Sequence, residues 1–317
     1  MSKNFKKIYV VSPAGYCSGG PESLHNLVSV MNILGLNAYI SYLPETNLLN
    51  SQYLSYNIPV ENYHDHENNL IIFPEIFCMQ ALKIKKAKAA IWWLSVDNFR
   101  EIKYGTFRDK IRYLIKVIKR QRPVRGIKSL RELIHFSKAH YDKEYLDYHG
   151  IISKRIEGPI SRNFLNHIPQ KSKTRLDGIL YNEKKSKIIV DKLKESLPDL
   201  VFIPLNNMKE DELISHYQSH KIYIDFGTHP GKERMPREAA LMGCCVITGK
   251  LGAAKNSYDV AIPEEYKLDH KSKEFITNFS KIANQIIDNY PEISPKFEYY
   301  RERIRSEFKN QIEDVKR

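Results

Sequence analysis

Residues 222–254 constrain the fold of this chain more than any other stretch. The apolar run 222–226 leads into a loop, 227–234, that contains two glycines and several basic side chains. A second apolar run, 244–248, leads into another glycine-containing loop, 249–254. Short apolar runs on either side of a helical segment are typical of buried strands in a parallel sheet. The stretch therefore predicts a strand, loop, helix, strand and loop in succession.

The helix of this unit is predicted to begin at Pro236, because a proline at the first helical position loses no hydrogen bond by lacking an N–H. The free N–H groups of a first turn carry the positive end of the helix dipole and bind anions. Lys232, Arg234 and Arg237 lie close to the same point in the sequence. The sequence therefore predicts a phosphate-binding loop, and a solvated basic loop is the alternative.

Residues 236–247, PREAALMGCCVI, resemble the Glu-Ala-x-x-x-Gly-x-x-Val-[Val/Ile] segment of the retaining nucleotide-sugar glycosyltransferases of the group 1 (family 4) type. The resemblance implies the GT-B fold: α/β, with two Rossmann-like domains whose parallel sheets face each other across a cleft. It also implies that Glu238 binds the ribose hydroxyls of the donor nucleotide, whereas capping of its own helix is the alternative. The other donor-binding candidates in these two loops are Gly231, Arg237, Gly249, Lys250, Gly252 and Ala253.

The same family usually carries another Glu eight positions before the ribose-binding one, close to the transferred sugar. This chain has Pro230 at that position, preceded by His229. His229 either polarises a sugar hydroxyl or only holds the loop. We take His229, Lys232 and Arg234 as the catalytic candidates of the loop, with the two cations stabilising the leaving diphosphate.

The resemblance extends more weakly to the start of the chain. The apolar run 6–11 predicts a first strand, and apolar residues at helical spacing over 24–34 predict a helix that ends near Gly35. Gly19 and Gly20, between them, match the Gly-Gly turn at which the family's backbone approaches the donor phosphates and the acceptor. The alternative is that these glycines only form a tight turn.

Two further site predictions come from residues that follow predicted strands. In the family a lysine after the first strand of the second domain contacts the donor pyrophosphate, and either Lys184 or Lys185 fits, with a surface lysine as the alternative. The run 89–96 predicts a strand that brings Asp97 to its carboxyl end. In the family the acceptor pocket is lined from such strand ends, so Asp97 is the candidate that orients an acceptor hydroxyl; capping of the next helix is the alternative.

A basic amphipathic helix is predicted after residue 106. Apolar side chains recur at helical spacing over 107–118, and Arg108, Lys116, Lys119 and Arg120 are among the basic residues around them. Such a helix is typical of binding to an anionic membrane surface, and a patch of this kind is common in family members that use lipid-linked acceptors. A core-facing helix with a solvated outer face is the alternative. Nucleic-acid binding is not expected, because interleaved aromatic residues and known DNA-binding motifs are absent.

Length and composition agree with an ordinary globular protein of two domains. We predict domains at 1–165 and 166–317, with the linker within 166–175, and the 317 residues suffice for two cores. The formal net charge of +13 implies an acidic partner. The four cysteines lack C-x-x-C spacing, and no signal peptide is recognised, so we expect a cytoplasmic protein without a zinc site.

These observations predict a cytoplasmic glycosyltransferase, peripheral on the inner face of the plasma membrane. It would move a sugar from a nucleotide-diphosphate donor to a hydroxyl of a lipid-linked surface glycan, such as lipopolysaccharide or capsule, with retention. No metal or other cofactor is expected, since no Asp-x-Asp pair follows a strand. A catalytically silent subunit that binds a glycan or a partner enzyme is one alternative, and a basic nucleic-acid-binding protein is another.

Overall fold

The computed structural model describes residues 5–101, 107–169 and 174–317. The chain divides into two compact units, one of Met1–Pro159 with Glu307–Arg317 and the other of Ile160–Ser306. The last residues group with the first unit because the Gln311 side chain bonds there to the Asn26 amide and to the Glu157 carbonyl oxygen. Residues 170–173 of the predicted linker lie outside the described residues.

The first unit contains a six-stranded sheet whose described pairings are all parallel. Its strands are β1 (Lys7–Pro13), β2 (Ala38–Leu43), β3 (Asn69–Pro74), β4 (Lys88–Trp93), β5 (Ile134–Ser137) and β6 (Lys154–Arg155), in the spatial order β2-β1-β3-β4-β5-β6. Its helices are α1 (Gly19–Ile33), α2 (Cys78–Ala81), α3 (Val96–Arg100), α4 (Phe107–Ile118) and α5 (His140–Tyr148). Successive side chains along a strand point to opposite faces of the sheet and pack in two different hydrophobic clusters. Val10 and Trp92 belong to one cluster, and Tyr9 and Trp93 belong to the other, so both faces of the sheet are covered.

The second unit contains a five-stranded sheet, again with parallel pairings throughout the described strands. Its strands are β7 (Leu176–Asn182), β8 (Phe202–Leu205), β9 (His220–Asp225), β10 (Cys245–Gly249) and β11 (Lys267–Leu268), in the order β11-β10-β9-β7-β8. Its helices are α6 (Arg162–Asn166), α7 (Glu183–Ser196), α8 (Glu210–Ser219), α9 (Arg234–Leu241), α10 (Phe275–Asp288), α11 (Tyr290–Ile293) and α12 (Glu298–Lys316), the last of which continues into the first unit. Two parallel sheets covered by helices confirm the predicted α/β class.

One stretch of the first unit forms β5 where the apolar pattern suggests continuous helix over 130–148. Phe136 and Ser137 pair with Trp92 and Trp93 of β4 and are buried. The His135 ring accepts a hydrogen bond of 3.0 Å from the indole N–H of Trp93. Pairing in the core therefore outweighs local helix propensity here, and helix resumes only at α5.

A second difference concerns residues 76–88, where the apolar pattern likewise suggests a helix. The chain makes one 3₁₀ turn, Glu75–Phe77, and the single turn α2, and Lys88 already begins β4. The Asp65 carboxylate accepts backbone N–H groups of Lys85, Lys86 and Ala87 at 2.7–2.8 Å. These N–H groups are thus satisfied outside a helix, which explains the early end of α2.

Candidate functional site

The candidate site of the second unit lies at the carboxyl ends of β9 and β10. Asp225 and Thr248 occupy matched positions on these neighbouring strands, and both are buried. The strands lead into residues 226–233 and 250–254, which correspond closely to the loops 227–234 and 249–254 that the sequence predicts to bind the donor. Ligands of open parallel α/β sheets bind at this end of the strands.

A buried ion pair organises the first loop. The Nε2 atom of His229 lies 3.4 Å from Oδ1 of Asp225 and 3.2 Å from the Asp225 carbonyl oxygen. Burial on its own raises the pKa of Asp225, but His229, Lys185 and the Gly227 N–H outweigh it and bring the pKa to about 2. Burial lowers the pKa of His229, but the Asp225 carboxylate outweighs this and leaves it above its ordinary value. These contacts therefore favour the protonated form of His229.

The pair leaves one polar atom of His229 without a partner among the described residues. His229 is 0% exposed, and its Nδ1 atom makes no hydrogen bond. The Thr248 hydroxyl and Nδ1 of His270 are also buried and unpartnered. The His270 Nδ1 atom lies 3.8 Å from where a Cβ on Gly249 would be, at the end of β10. Buried polar atoms without partners are costly, so this edge of the sheet is suited to a polar ligand.

The second loop is fixed against the first by backbone contacts. The Ala253 N–H donates to the His229 carbonyl oxygen at 2.8 Å. Gly252 has φ +56°, and a Cβ on it would lie 2.2 Å from the His229 oxygen and 2.3 Å from the Thr228 oxygen. Only glycine fits at such a position, because the atoms in the way are backbone.

The cations of the first loop have distinct positions. Arg237 is 2% exposed and donates to the carbonyl oxygens of Lys232 and Glu233, so its guanidinium shapes the loop. Arg234 contacts Glu238, with 2.9 Å between Nε and Oε1, and Glu238 is fully buried. Lys232 is also buried.

The helix α9 begins at Arg234, two residues before the predicted start at Pro236, which was wrong. Glu233 occupies the N-cap position, and the first turn contains no acidic residue. Glu238 therefore lies beyond the first turn, which removes the alternative that it caps its own helix.

The two candidate lysines of α7 point to different partners. Lys184 is exposed and donates to the Asn207 amide oxygen at 3.1 Å. Lys185 is bonded to the Glu233 carboxylate, and its Cβ lies close to Gly227. Burial lowers the pKa of Lys185, but Glu233 and Asp225 raise it above its ordinary value. Lys185, not Lys184, thus contacts the loop of the candidate site.

Lys250, the remaining charged donor candidate, pairs with Glu264 at 2.8 Å and is exposed. Gly231 and Ala253 are buried within their loops, as is Gly249 at the end of β10. The sequence did not single out Asp225, Thr248 or His270. The sequence feature that could have identified Asp225 is its position at the end of a predicted strand, four residues before His229.

The first unit contains a separate cavity of about 870 Å³ in which Asp97 and Gly20 lie together with Lys116 and Arg120. Burial raises the pKa of Asp97 to about 6, although the Tyr141 hydroxyl, 3.0 Å away, and Arg100 favour the charged form. Ser95, and not Asp97, is the N-cap of α3, since its hydroxyl accepts the Asn98 N–H. The capping alternative for Asp97 is therefore excluded.

Gly19 and Gly20 form the first turn of α1 and not a separate turn, so the alternative that they only form a tight turn is wrong. Neither glycine has a positive φ, and the left-handed glycine of the segment is Gly15, with φ 72°. A Cβ on Gly20 would lie 3.8 Å from the Leu94 side chain, within ordinary contact distance. The helix thus begins at the wall of the cavity.

A second carboxyl group in this cavity was missed from the sequence. Glu75 is 1% exposed and accepts hydrogen bonds of 3.0 Å from the Leu94 N–H and the Asn98 amide. Burial raises the pKa of Glu75 despite these donors and nearby Arg122. Its position directly after β3 was the available signal, since strand ends of a parallel sheet meet at one edge.

The helix α4 presents its apolar side chains to the outside. Their exposed fractions are 73% for Phe107, 46% for Ile111, 58% for Leu114, 46% for Ile115 and 72% for Ile118. The side chain that α4 buries is Asp109, which pairs with Arg112 at 2.6 Å. The alternative of a core-facing helix is therefore wrong. Within the described residues, no helix has the length and apolar character to cross a membrane.

No protein-family model matches this chain, and no curated protein sequence matches it. Solved structures are similar over nearly the whole length. A glycosyltransferase from Rickettsia africae aligns with a TM-score of 0.62 and 13% identity, covering 99% of this chain and 97% of the other. Anabaena Alr3699/HepE in complex with UDP-glucose aligns with a TM-score of 0.60 and 11% identity, covering 98% of both chains. The pneumococcal O-GlcNAc transferase GtfA, in complex with UDP and GlcNAc, aligns with a TM-score of 0.59 and 10% identity over 98% of this chain and 97% of the other. At this identity the likeness shows the fold, which is GT-B as the sequence predicts.

Proposed function

We propose that this protein is a glycosyltransferase that moves a sugar from a nucleotide-diphosphate donor to a hydroxyl of a lipid-linked surface glycan. The observation that carries the proposal is the buried His229, whose contacts favour its protonated form and whose Nδ1 atom has no partner among the described residues at the carboxyl end of β9. A buried N–H donor on a cation fits a diphosphate oxygen. Structures of the same fold are in complex with UDP-glucose and with UDP, which supports a uridine nucleotide.

In this proposal the second unit binds the donor. His229 donates to the diphosphate, Lys232 and Lys185 add positive charge, and Glu238 binds the ribose hydroxyls. Charge develops on the diphosphate as its bond to the sugar breaks, so donors already in place stabilise the transition state more than the ground state. We propose that the sugar is transferred with retention, as the resemblance of residues 236–247 implies.

Assay of purified protein with a panel of UDP-sugars and a lipid-linked oligosaccharide tests the proposed reaction. Release of UDP and extension of the acceptor are expected with one donor. The variant Glu238→Gln, which keeps the size of the side chain, is expected to raise the donor KM strongly, because ribose contacts to a buried charged group contribute about 1.5 to 3 kcal/mol. Lys184→Gln is the matched control, since Lys184 bonds Asn207 at the surface.

Removal of metal is expected to leave transfer unchanged. The reason is that cations of the protein lie at the site, where a divalent metal would otherwise neutralise the diphosphate. The measurement is initial rate with and without EDTA, and with EDTA followed by excess Mg²⁺ or Mn²⁺. A loss of activity that either metal restores would contradict metal-independent transfer.

The cavity of the first unit is proposed to bind the acceptor. Asp97 would accept a hydrogen bond from the acceptor hydroxyl at one part of the cavity wall, while Lys116 and Arg120 line another part. Neither cation has an ion-pair partner among the described residues. Their charge suits a phosphate or diphosphate that links the glycan to its lipid. Both side chains come from the region of α4, whose apolar face is exposed.

We also propose that α4 lies on the anionic inner face of the plasma membrane, where lipid-linked precursors of lipopolysaccharide or capsule are found. Replacing Arg108, Lys116, Lys119 and Arg120 by Gln is expected to release the protein from anionic vesicles, because each basic residue near such a surface contributes about 1 kcal/mol. Co-sedimentation with phosphatidylglycerol vesicles at fixed salt measures the effect. Unchanged binding, or a preference for DNA over vesicles at the same salt, would exclude this assignment.

A catalytically silent subunit remains a second candidate because Pro230 replaces the family's sugar-proximal Glu. Such a subunit would bind a nucleotide or a glycan without turnover. UDP release with any sugar donor, above the rate of a His229→Gln variant, would exclude it.

A further inference from the structure

A second cavity of about 610 Å³ lies on the other flank of α4, and the site proposed above does not use it. Asp109, Lys110 and Tyr113 of α4 line this second cavity, whereas Arg112, Lys116 and Arg120 line the acceptor cavity. Among the described residues, the remaining walls come from α3, from α5 with His149 directly after it, and from the segment 124–128. Both cavities thus adjoin the helix whose apolar face is exposed.

The second cavity carries a large excess of positive charge. Lys110, Arg125 and Lys128 line it, and none of the three forms an ion pair with any other residue that the structure describes. Asp109, its acidic residue, is already paired with Arg112. Burial, followed by the charges of Arg100, Arg131 and Lys128, lowers the pKa of His149 at the cavity wall. The cavity therefore has the electrostatic character of an anion site.

Apolar groups complete the cavity. Phe99, Tyr113, Tyr145 and Ile127 line it together with the cations. Val124, also in the lining, is 84% exposed, on the same unit as the exposed stripe of α4. Cations beside exposed apolar side chains match a ligand that joins a phosphate to a hydrocarbon chain. A free phosphate would leave this apolar surface in water.

We propose that this second cavity binds the phosphate of an anionic phospholipid headgroup, at a site separate from that of the acceptor. The inference rests on the membrane-facing orientation of α4 proposed above, but not on the transfer reaction. Arg125 and Lys128 contact the phosphate from the segment 124–128, and Lys110 contacts it from α4. Lipid bound there fixes the rotation of α4 on the membrane, which diffuse attraction alone does not do.

The test compares two variants with the same loss of charge. Arg125→Gln with Lys128→Gln removes two cations of the cavity, and Arg108→Gln with Lys119→Gln removes two exposed cations outside both cavities. Co-sedimentation of the full-length protein is measured with phosphatidylcholine vesicles containing increasing phosphatidylglycerol. The cavity variant is expected to lose about tenfold more affinity than the control variant, because phosphate contacts add to the attraction that both variants lose equally.

Equal losses in the two variants would overturn the proposal while leaving membrane binding intact. No vesicle binding by the unaltered protein would overturn both the cavity proposal and the membrane assignment. A parallel arm uses inorganic phosphate and glycerol 3-phosphate without lipid. Thermal unfolding is compared with each solute and with phosphatidylglycerol. If either solute protects the protein as much as phosphatidylglycerol does, the cavity binds a soluble anion and the lipid is rejected. The transfer rate is also measured with a UDP-sugar and a soluble acceptor in detergent. The cavity variant is expected to retain this rate, so failure of the lipid proposal can be told apart from failure of the transferase proposal.

Discussion

The variant Asp97→Asn is expected to lose acceptor-dependent transfer by about a hundredfold in kcat/KM while gaining stability near neutral pH. The loss follows from the proposed role of Asp97, since the neutral amide oxygen of Asn accepts a hydrogen bond from the acceptor hydroxyl more weakly than the carboxylate does. The gain follows from burial, which raises the pKa of Asp97 from 3.8 to about 6. Because the folded-state pKa is the higher one, ionisation of Asp97 destabilises the fold as pH rises through about 6. The Asn variant escapes this cost, which corresponds to about 2 to 3 kcal/mol at pH 7.5.

Two measurements check this prediction. Transfer rates at varied acceptor concentration give kcat and KM, and urea unfolding at pH 3 and 7.5 gives the free energy of unfolding. The stability gain is expected at pH 7.5 and not below the ordinary pKa of the carboxyl. Asp147→Asn is the control, because Asp147 forms an exposed pair with Lys143 on α5. Full activity of Asp97→Asn would remove Asp97 from the acceptor site. An equal stability gain over the unaltered protein at both pH values would contradict the cost of burying the charge of Asp97.

The second large effect is expected from Gly252→Ala. A methyl group there meets the carbonyl oxygens of Thr228 and His229, so the loop 250–254 must move away from the first loop. The left-handed φ adds about 1 kcal/mol of strain, and displacement of packed backbone adds about 1 to 3 kcal/mol. Since His229 lies at the point of contact, nucleotide binding is expected to fall below detection together with stability.

The variant Gly35→Ala separates the effect of backbone strain from the effect of the collision between the two loops. Gly35 has φ +76° and nothing within 4 Å of its added Cβ, so it carries the strain without the collision. It is expected to cost about 1 kcal/mol and to leave nucleotide binding unchanged. Thermal unfolding with and without UDP measures both properties. If the two variants behaved alike, the contact between the loops would have no part in the donor site.

The sequence predicted the strands and loops around β9 and β10 well. Both strands are short apolar runs followed by glycine-containing loops, and this pattern depends on neighbouring residues in the sequence only. It predicted neither the start of α9 nor the side-chain partners. Proline fits the third helical position as well as the first, so Pro236 did not fix the start of the helix. Lys184 and Lys185 differ by about 100° around α7, and only packing against Gly227 distinguishes them.

The first unit was harder to predict because some of its elements depend on packing against distant parts of the chain. β5 is four residues long, and it exists because Trp93 and the neighbouring strand lie beside it. Periodicity identified α4, but it could not tell which face of the helix would be buried, because an apolar stripe normally faces the core. In the structure this stripe is exposed, while Asp109 on the opposite side is buried. Lys116 and Arg120, predicted as membrane contacts, also line the cavity that is proposed to bind the acceptor.

The most direct test of the donor site is a thermal-shift panel of UDP, GDP, ADP, CMP and dTDP without metal. A nucleotide that binds only the folded state stabilises it by about 2.7 kcal/mol at a hundred times its dissociation constant. We expect a clear shift with UDP, which Glu238→Gln and Gly252→Ala abolish and Lys184→Gln and Gly35→Ala retain. The absence of a shift with every nucleotide would contradict a donor site at the carboxyl ends of β9 and β10.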